Sequence, residues 1–247
     1  MSAITKLNLG EYQLRQENYS DEQAQTRDTF GFKWAKRDTY ESAITQQRTK
    51  VWLLERYCQN DPAVLTKWFS GNNKIILDAG CGAGNAALLL FSDYLKENDY
   101  LGIDISDAAY VAKQRFEEAS IPGEFIKSSF LDVPLPDKSI DIIFSEGVLH
   151  HTDNTEQSFL YLAKKLKQNG RMLAYVYRKK ADIREFTDDH IRQALLPLSD
   201  QQAWDALEPL TKLGIELGKL NVEIDVPEDI SYLGIKKGKL DIQRFFY

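Results

Sequence analysis

Ile75-Ile76-Leu77-Asp78-Ala79-Gly80-Cys81-Gly82-Ala83-Gly84-Asn85 is the stretch whose reading decides the fold. Three apolar residues run into an aspartate, three glycines then alternate with small residues, and Ala86-Ala87-Leu88-Leu89-Leu90 opens an amphipathic segment. That order predicts a buried strand, a tight turn, and a helix whose N-terminus faces whatever lies on the turn. Glycine suits the turn because it takes positive φ freely and leaves no Cβ between the backbone and a bound molecule. A dinucleotide site of this kind reads G-x-G-x-x-G, with a pyrophosphate on the helix N-terminus. Here the pattern is G-x-G-x-G-N, and Asp78 stands at the strand end, where it opposes a pyrophosphate and suits an ammonium group.

Moving outward, Tyr100-Leu101-Gly102-Ile103-Asp104 is a second short apolar strand ending in an acid, 20 residues after Gly84. A carboxylate in that position can accept two hydrogen bonds from a ribose diol. Ser106 is placed to cap a helix from about Asp107 to Ala119, with Ala108, Val111, Ala112 and Phe116 on one face. Residues 73–180 continue to alternate strand and helix, with strands at 74–78, 99–104, 124–127, 140–145 and 171–177. This pattern implies an α/β fold with a doubly wound, mostly parallel, Rossmann-like sheet. Residues 1–72 read as helical. Tyr40, Ala43, Ile44, Val51, Leu54 and Cys58 form one stripe over 38–59, and Asp61-Pro62 opens a short helix ending near Gly71. Residues 181–247 read as a helical appendage, with helices around Asp188–Leu196 and Gln201–Leu220 and one weak strand at Asn221–Val226.

The fourth strand, Ser139-Ile140-Asp141-Ile142-Ile143-Phe144-Ser145, runs into Glu146-Gly147-Val148-Leu149-His150-His151. Ligands of open parallel sheets lie at the carboxyl ends of the strands, where strand order reverses. One crevice would therefore receive Asp78, Ala79, Gly80, Cys81, Gly82 and Gly84 from the first strand. The second would add Asp104 and Ile105, and the fourth Ser145 and Glu146 through His150 and His151.

Composition narrows the function classes. The 247 residues carry a formal charge of −6, which argues against a bulk nucleic-acid binder. No apolar run approaches the ~18 residues of a membrane span, and MSAITKLNLGEYQLRQ lacks a basic-then-apolar leader pattern, so a cytoplasmic location is expected. Two cysteines make no disulfide framework, and three histidines without a CxxC make no metal site. The basic run from Lys164 to Lys180 reads as a solvated helix face and strand-end rim.

The glycine turn resembles the first motif of class I S-adenosylmethionine-dependent methyltransferases, hydrophobic-hydrophobic-D-x-G-x-G-x-G, with Asp78, Gly80, Gly82 and Gly84 falling on it one for one. Pro134-Leu135-Pro136-Asp137-Lys138-Ser139-Ile140-Asp141, Leu149-His150-His151 and the Asn169-Gly170 lead into the fifth strand resemble the small-molecule branch of that class. The resemblance covers roughly residues 73–178. It implies S-adenosylmethionine as cofactor, with its methionine part near Asp78–Gly84 and its ribose on Asp104. Many relatives hold the adenine amino group with an acid near the third-strand exit. That position is Ser129 here, which leaves Ser129, the backbone at Phe130, or Asp132 for the task. His151, and next to it His150, stand where a general base for a hydroxyl acceptor would be useful, whereas His190 lies outside the core.

Phe30-Gly31-Phe32-Lys33-Trp34 either folds over the cofactor as a lid or packs on the sheet edge. The surrounding Q-T-R-D-T-F-G-F-K-W run resembles bacterial methyltransferases associated with sugar and surface-polysaccharide biosynthesis, which makes a sugar or sugar-like metabolite the first expectation for the acceptor. Two other readings stand beside it: a nicotinamide-dependent oxidoreductase, opposed by G-x-G-x-G-N and Asp78, and a non-catalytic S-adenosylmethionine-binding protein. The latter follows from the C-terminus, where class I enzymes usually add two more strands. Here a single weak strand precedes Phe245-Phe246-Tyr247, so a shortened C-terminus is expected, unless Val222–Val226 and Ile230–Ile235 supply the missing pair.

Overall fold

The computed structural model describes residues 2–10, 20–71, 73–178 and 182–243, and the chain divides into units 1–177 and 178–247. The first unit opens with α1 (Ala3–Lys6), α2 (Asp21–Ala35), α3 (Asp38–Glu41), α4 (Ala43–Cys58) and α5 (Ala63–Phe69). It then alternates β1 (Ile75–Ala79), α6 (Asn85–Leu95), β2 (Asp99–Asp104), α7 (Ala108–Glu118), β3 (Glu124–Lys127) and β4 (Ile140–Glu146). A 3-10 turn at Leu149–His151, α8 (Thr155–Lys165) and β5 (Leu166–Tyr175) complete it.

The five strands form one parallel sheet in the order β3-β2-β1-β4-β5. Each central strand is covered on both faces, which is why the sequence reads as near-continuous apolar runs rather than alternation. Period-two geometry sends neighbouring residues to opposite sides. Leu77, Leu101, Ile103 and Ile143 join one core with Leu7 and Leu162. Ile76, Tyr100 and Phe144 join the other with Leu53, Phe69 and Phe91. Strand order reverses between β1 and β4, so the carboxyl ends of β1, β2 and β4 open onto a common crevice, as the doubly wound reading requires.

Some local expectations are corrected. The 38–59 helix is two helices broken at Ser42, whose hydroxyl caps α4 by accepting from the Thr45 amide. Of the expected stripe, Tyr40 and Cys58 are buried and Leu54 packs on the core, but Ile44 is 75% exposed and Val51 also lies outside, and Leu53 is a buried residue the stripe left out. The residue at the N-cap of α7 is Asp107. Ser106 accepts from the Ala108 amide, but its own proton goes to Asp104. The fifth strand starts earlier than expected, at Leu166, through an irregular register beside Ile140 and Ile142. Within the basic run, Lys165 is buried and paired with Asp137 rather than solvated.

The second unit holds α9 (Asp182–Leu195), α10 (Asp200–Leu220), β6 (Glu223–Val226), a 3-10 turn at Ser231–Leu233, and β7 (Gly238–Asp241). Ser199 and Gln202 form a capping box that starts α10. The weak strand is real, but its antiparallel partner is Gly238–Asp241. Ile230 and Ile235 meet only as an isolated bridge, because Asp229 holds the Lys237 amide and the Lys236 ammonium and widens the loop. The β6–β7 pair is a sheet of its own, and among the described residues no strand after β5 joins the main sheet. Phe245-Phe246-Tyr247, on which the expected shortening rested, lies outside the described residues.

Candidate active site

The glycine turn leaves β1 with Gly80, Gly82 and Gly84 at φ of 83°, 50° and 69°. All three are required by contact as well as by backbone, a Cβ on Gly84 lying 2.9 Å from the Phe116 ring. A Cβ on Gly80 would lie 2.3 Å from Val148 Cγ1, and one on Gly82 would lie 2.9 Å from the Trp34 indole. The space at Gly82 that the motif suggests for a ligand is thus filled by the chain's own Trp34.

Neighbouring strands hold the turn by its polar groups. The amides of Gly80 and Cys81 both donate to the Ile103 carbonyl, at 2.7 and 3.0 Å. The Ser145 hydroxyl donates to the Ala79 carbonyl at 2.9 Å. Arg115, buried on α7, donates to the Ala83 carbonyl at 2.7 Å and to Asn85 Oδ1 at 3.1 Å. Ala79, Cys81 and Ser145 therefore act on the shape of the turn; none of them lines the cleft.

Asp104 sits at the end of β2 with 8% exposure. Its carboxylate accepts from the Gly82 amide at 2.8 Å, the Ser106 amide at 2.9 Å and the Ser106 hydroxyl at 2.6 Å. Burial raises its pKa, and these hydrogen bonds oppose the rise. Asp78 is deeper, 3% exposed, and accepts from the Tyr100 hydroxyl at 2.6 Å. Burial pushes its pKa up to about 7, against that hydrogen bond and with help from the Asp104 and Glu146 charges. Glu146, at the end of β4, takes hydrogen bonds from the Arg56 guanidinium and the Tyr57 hydroxyl of α4.

The 3-10 turn after β4 carries the two histidines, with ring centroids 4.0 Å apart. His151 faces the cleft and receives the Phe30 ring edge-on at 4.9 Å. Burial, then His150, then Lys33 lower its pKa to about 4. His150 turns away from the cleft: its Nδ1 accepts from the Tyr177 amide at 3.4 Å, and the Tyr177 ring lies 4.1 Å from its own. Accepting at Nδ1 puts the proton of the neutral ring on Nε2, a buried atom with no hydrogen-bond partner.

Across this crevice lies α2. Gln23 donates to the His151 carbonyl at 3.0 Å and Ser20 to Asp153 at 3.0 Å, while Trp34 rests on Gly82. The partly open cleft has a volume of about 90 Å³ as it stands, below the roughly 300–1,000 Å³ of small-molecule sites. Of the residues expected from sequence, Gly80, Asp104, Ile105, Ser129, Phe130, Glu146 and His151 line it, whereas Asp78, Gly82, Gly84 and His150 stand behind its wall. Gln23, Thr26, Ser128, Val148 and Thr152 also line it. Their positions follow from α2 folding back over the strand ends, which no local pattern announces.

Comparison with known proteins agrees with this geometry. Residues 77–174 match the family described as "Methyltransferase domain". Residues 77–174 thus carry a likeness to S-adenosylmethionine-dependent methyltransferases. The chain is 29% identical over 162 residues to the uncharacterized methyltransferase YcgJ of Bacillus subtilis (strain 168), covering 61% of this chain and 62% of that one. It is 26% identical over 165 residues to sterol 24-C-methyltransferase of Pneumocystis carinii (strain B80), covering 63% of this chain and 41% of that one. It therefore spans less than two thirds of the length of these curated relatives. Among solved structures, geranyl diphosphate C-methyltransferase of Streptomyces coelicolor A3(2) superposes with a TM-score of 0.50 at 15% identity, over 70% of this chain and 73% of that one; that likeness concerns the fold. The family match favours the S-adenosylmethionine reading over the nicotinamide one. It occupies only the first unit, and no helix among the described residues is long and apolar enough to cross a membrane.

Proposed function

We propose that the chain transfers a methyl group from S-adenosylmethionine to a neutral small-molecule acceptor in the cleft beneath α2. The observation that carries this reading is the glycine turn bound through the Gly82 amide to the Asp104 carboxylate, at the point where strand order reverses. The residues present fit the cofactor. Asp104 spends three acceptor positions of roughly four, and one of its donors, the Ser106 hydroxyl, is a rotor that can turn aside for a ribose diol. Ile105 and Phe130 supply apolar walls for an adenine, with Ser129 and the Phe130 backbone as polar partners. Asp78 and Glu146 lie on the side where an ammonium group would be welcome. Bound S-adenosylmethionine supplies a methyl group on a sulfonium, whose carbon–sulfur bond breaks as an acceptor lone pair attacks in line.

The chain's own contribution is orientation, water exclusion and a place for one proton. His151 is neutral at pH 7, so its ring can take the acceptor's proton as the new bond forms. A base this weak acts late, once the departing proton has become acidic. His150 packs its ring 4.0 Å from that of His151 and so serves to hold its neighbour. Among the described residues no Lys or Arg lines the cleft, which favours a neutral acceptor. Together with the N-terminal resemblance, it supports a sugar or sugar-like hydroxyl or amine compound. The helix α2 has no buried residues, and we assign it as the lid whose displacement admits the cofactor.

The test is transfer of label from methyl-labelled S-adenosylmethionine to a panel of neutral sugars, amino sugars and phenols. Labelled product formed together with S-adenosylhomocysteine is expected. Cofactor binding without turnover on any acceptor would favour the non-catalytic alternative.

A further inference from the structure

Among the described residues the cleft lining has carboxylates but no cation, yet the amino-acid end of S-adenosylmethionine carries a carboxylate as well as an ammonium group. The nearby guanidinium groups are engaged. Arg56 is held by Glu146, and Arg115 is held by Ala83, Asn85 and Glu41. Arg27, on α2 itself, pairs with Asp28.

Lys33 differs from all of these: among the described residues it has no carboxylate and no hydrogen-bond acceptor against it. Its ammonium instead lies 5.5 Å from the centre of the Phe30 ring and 5.1 Å from that of Trp34, inside the range of cation–π attraction. Those two rings line the cleft, Phe30 against His151 and Trp34 against Gly82. The ammonium therefore lies beside the two rings that cover the β4 exit and the glycine turn, the interval that the methionine end of the cofactor must cross. The residue as a whole is exposed, but its ammonium is crowded enough that desolvation lowers its pKa. A cation kept partly dry and without a counter-charge is stabilised by an arriving anion more than a fully hydrated one would be.

We infer that Lys33 is the residue that binds the carboxylate of the cofactor's methionine part, so that α2 recognises the cofactor as well as covering it. This inference rests on the cofactor reading above. It assigns opposite walls to the two charges of the amino-acid end: the Asp78 and Glu146 side for the ammonium group, and Lys33 for the carboxylate.

Calorimetry on the full chain with two probes tests it: S-adenosylhomocysteine, which has the amino-acid end, and 5′-deoxy-5′-methylthioadenosine, which lacks it. Lys33→Met should weaken S-adenosylhomocysteine at least about tenfold and leave methylthioadenosine unchanged, and Lys33→Arg should restore most of the loss. Equal weakening of both probes would mean that the side chain only packs the aromatic wall, and would overturn the inference, as would no change in either. A wild-type protein that binds methylthioadenosine but not S-adenosylhomocysteine would also overturn it. Binding of neither probe by the wild type would overturn the cofactor reading itself, and this inference with it.

Discussion

At the scale of single residues, Asp104 and His151 carry most of the argument. Asp104 joins the glycine turn to the second strand, so Asp104→Ala should weaken S-adenosylhomocysteine by about 1.5–3 kcal/mol, the range of hydrogen bonds to charged groups. Asp104→Asn, which keeps the shape, should lose less; equal affinity in the alanine variant and the wild type would remove Asp104 from the cofactor site. For His151, burial has moved the pKa from 6.5 to about 4, so a rate that depends on its neutral ring should stay flat from pH 8 to about 5 and fall with a midpoint near 4. A midpoint near 6.5 would point to a different base. The same shift affects stability. A histidine with a lowered folded-state pKa stays neutral where the unfolded chain takes up a proton, so stability is full above 6.5 and is lost as pH falls toward 4. His150, lowered by burial as well, adds in the same direction. Denaturant midpoints at pH 7.5 and 5 should show this loss, and His151→Ala should reduce it. Gly80→Ala combines φ of 83° with a 2.3 Å approach to Val148 and should destabilise by about 2–4 kcal/mol, read as a lower melting temperature.

At the scale of elements, the strands and the helices between them were legible because their signals are local. β1 is an uninterrupted apolar run closed by Asp78 and Gly80, and α7 has Ala108, Ala112 and Phe116 on one face. The placement of α2 was not legible. Its aromatics, Phe30 and Trp34, are equally suited to packing and to covering a ligand, and only the tertiary contacts with His151 and Gly82 decide between those uses. The face of α4 was misjudged in part for a related reason. Ile44 and Val51 fit a helical stripe with Cys58, but the surface it packs on belongs to distant α6 and β4, which take Cys58 and Leu53 and leave Ile44 and Val51 outside. The role of Arg115 left no mark in the sequence, since a single arginine on an amphipathic helix reads as solvated. If α2 is the lid, cofactor binding must change the surroundings of Trp34. Tryptophan emission should shift on adding S-adenosylhomocysteine, and Trp34→Phe should abolish that shift. A response that persists in this variant would come from Trp52, Trp68 or Trp204 and would count against the lid.

At the scale of the whole molecule, every strand of the main sheet and every residue lining the cleft fall within residues 1–177. A chain ending at Tyr177 should therefore unfold cooperatively and keep its cofactor affinity; loss of either would show that the second unit contributes to the core. In the sequence the α/β alternation stops near residue 180 and the first strand of the β6–β7 pair is legible, but its partner is not, being four residues long and mostly polar. The central claim, that this fold presents an S-adenosylmethionine site, is tested most directly by calorimetric titration of the full-length protein with S-adenosylhomocysteine, with nicotinamide adenine dinucleotide in parallel. Saturable one-to-one binding of S-adenosylhomocysteine, with no heat from the dinucleotide, is the predicted result. Binding of the dinucleotide alone, or of neither compound, would contradict the account.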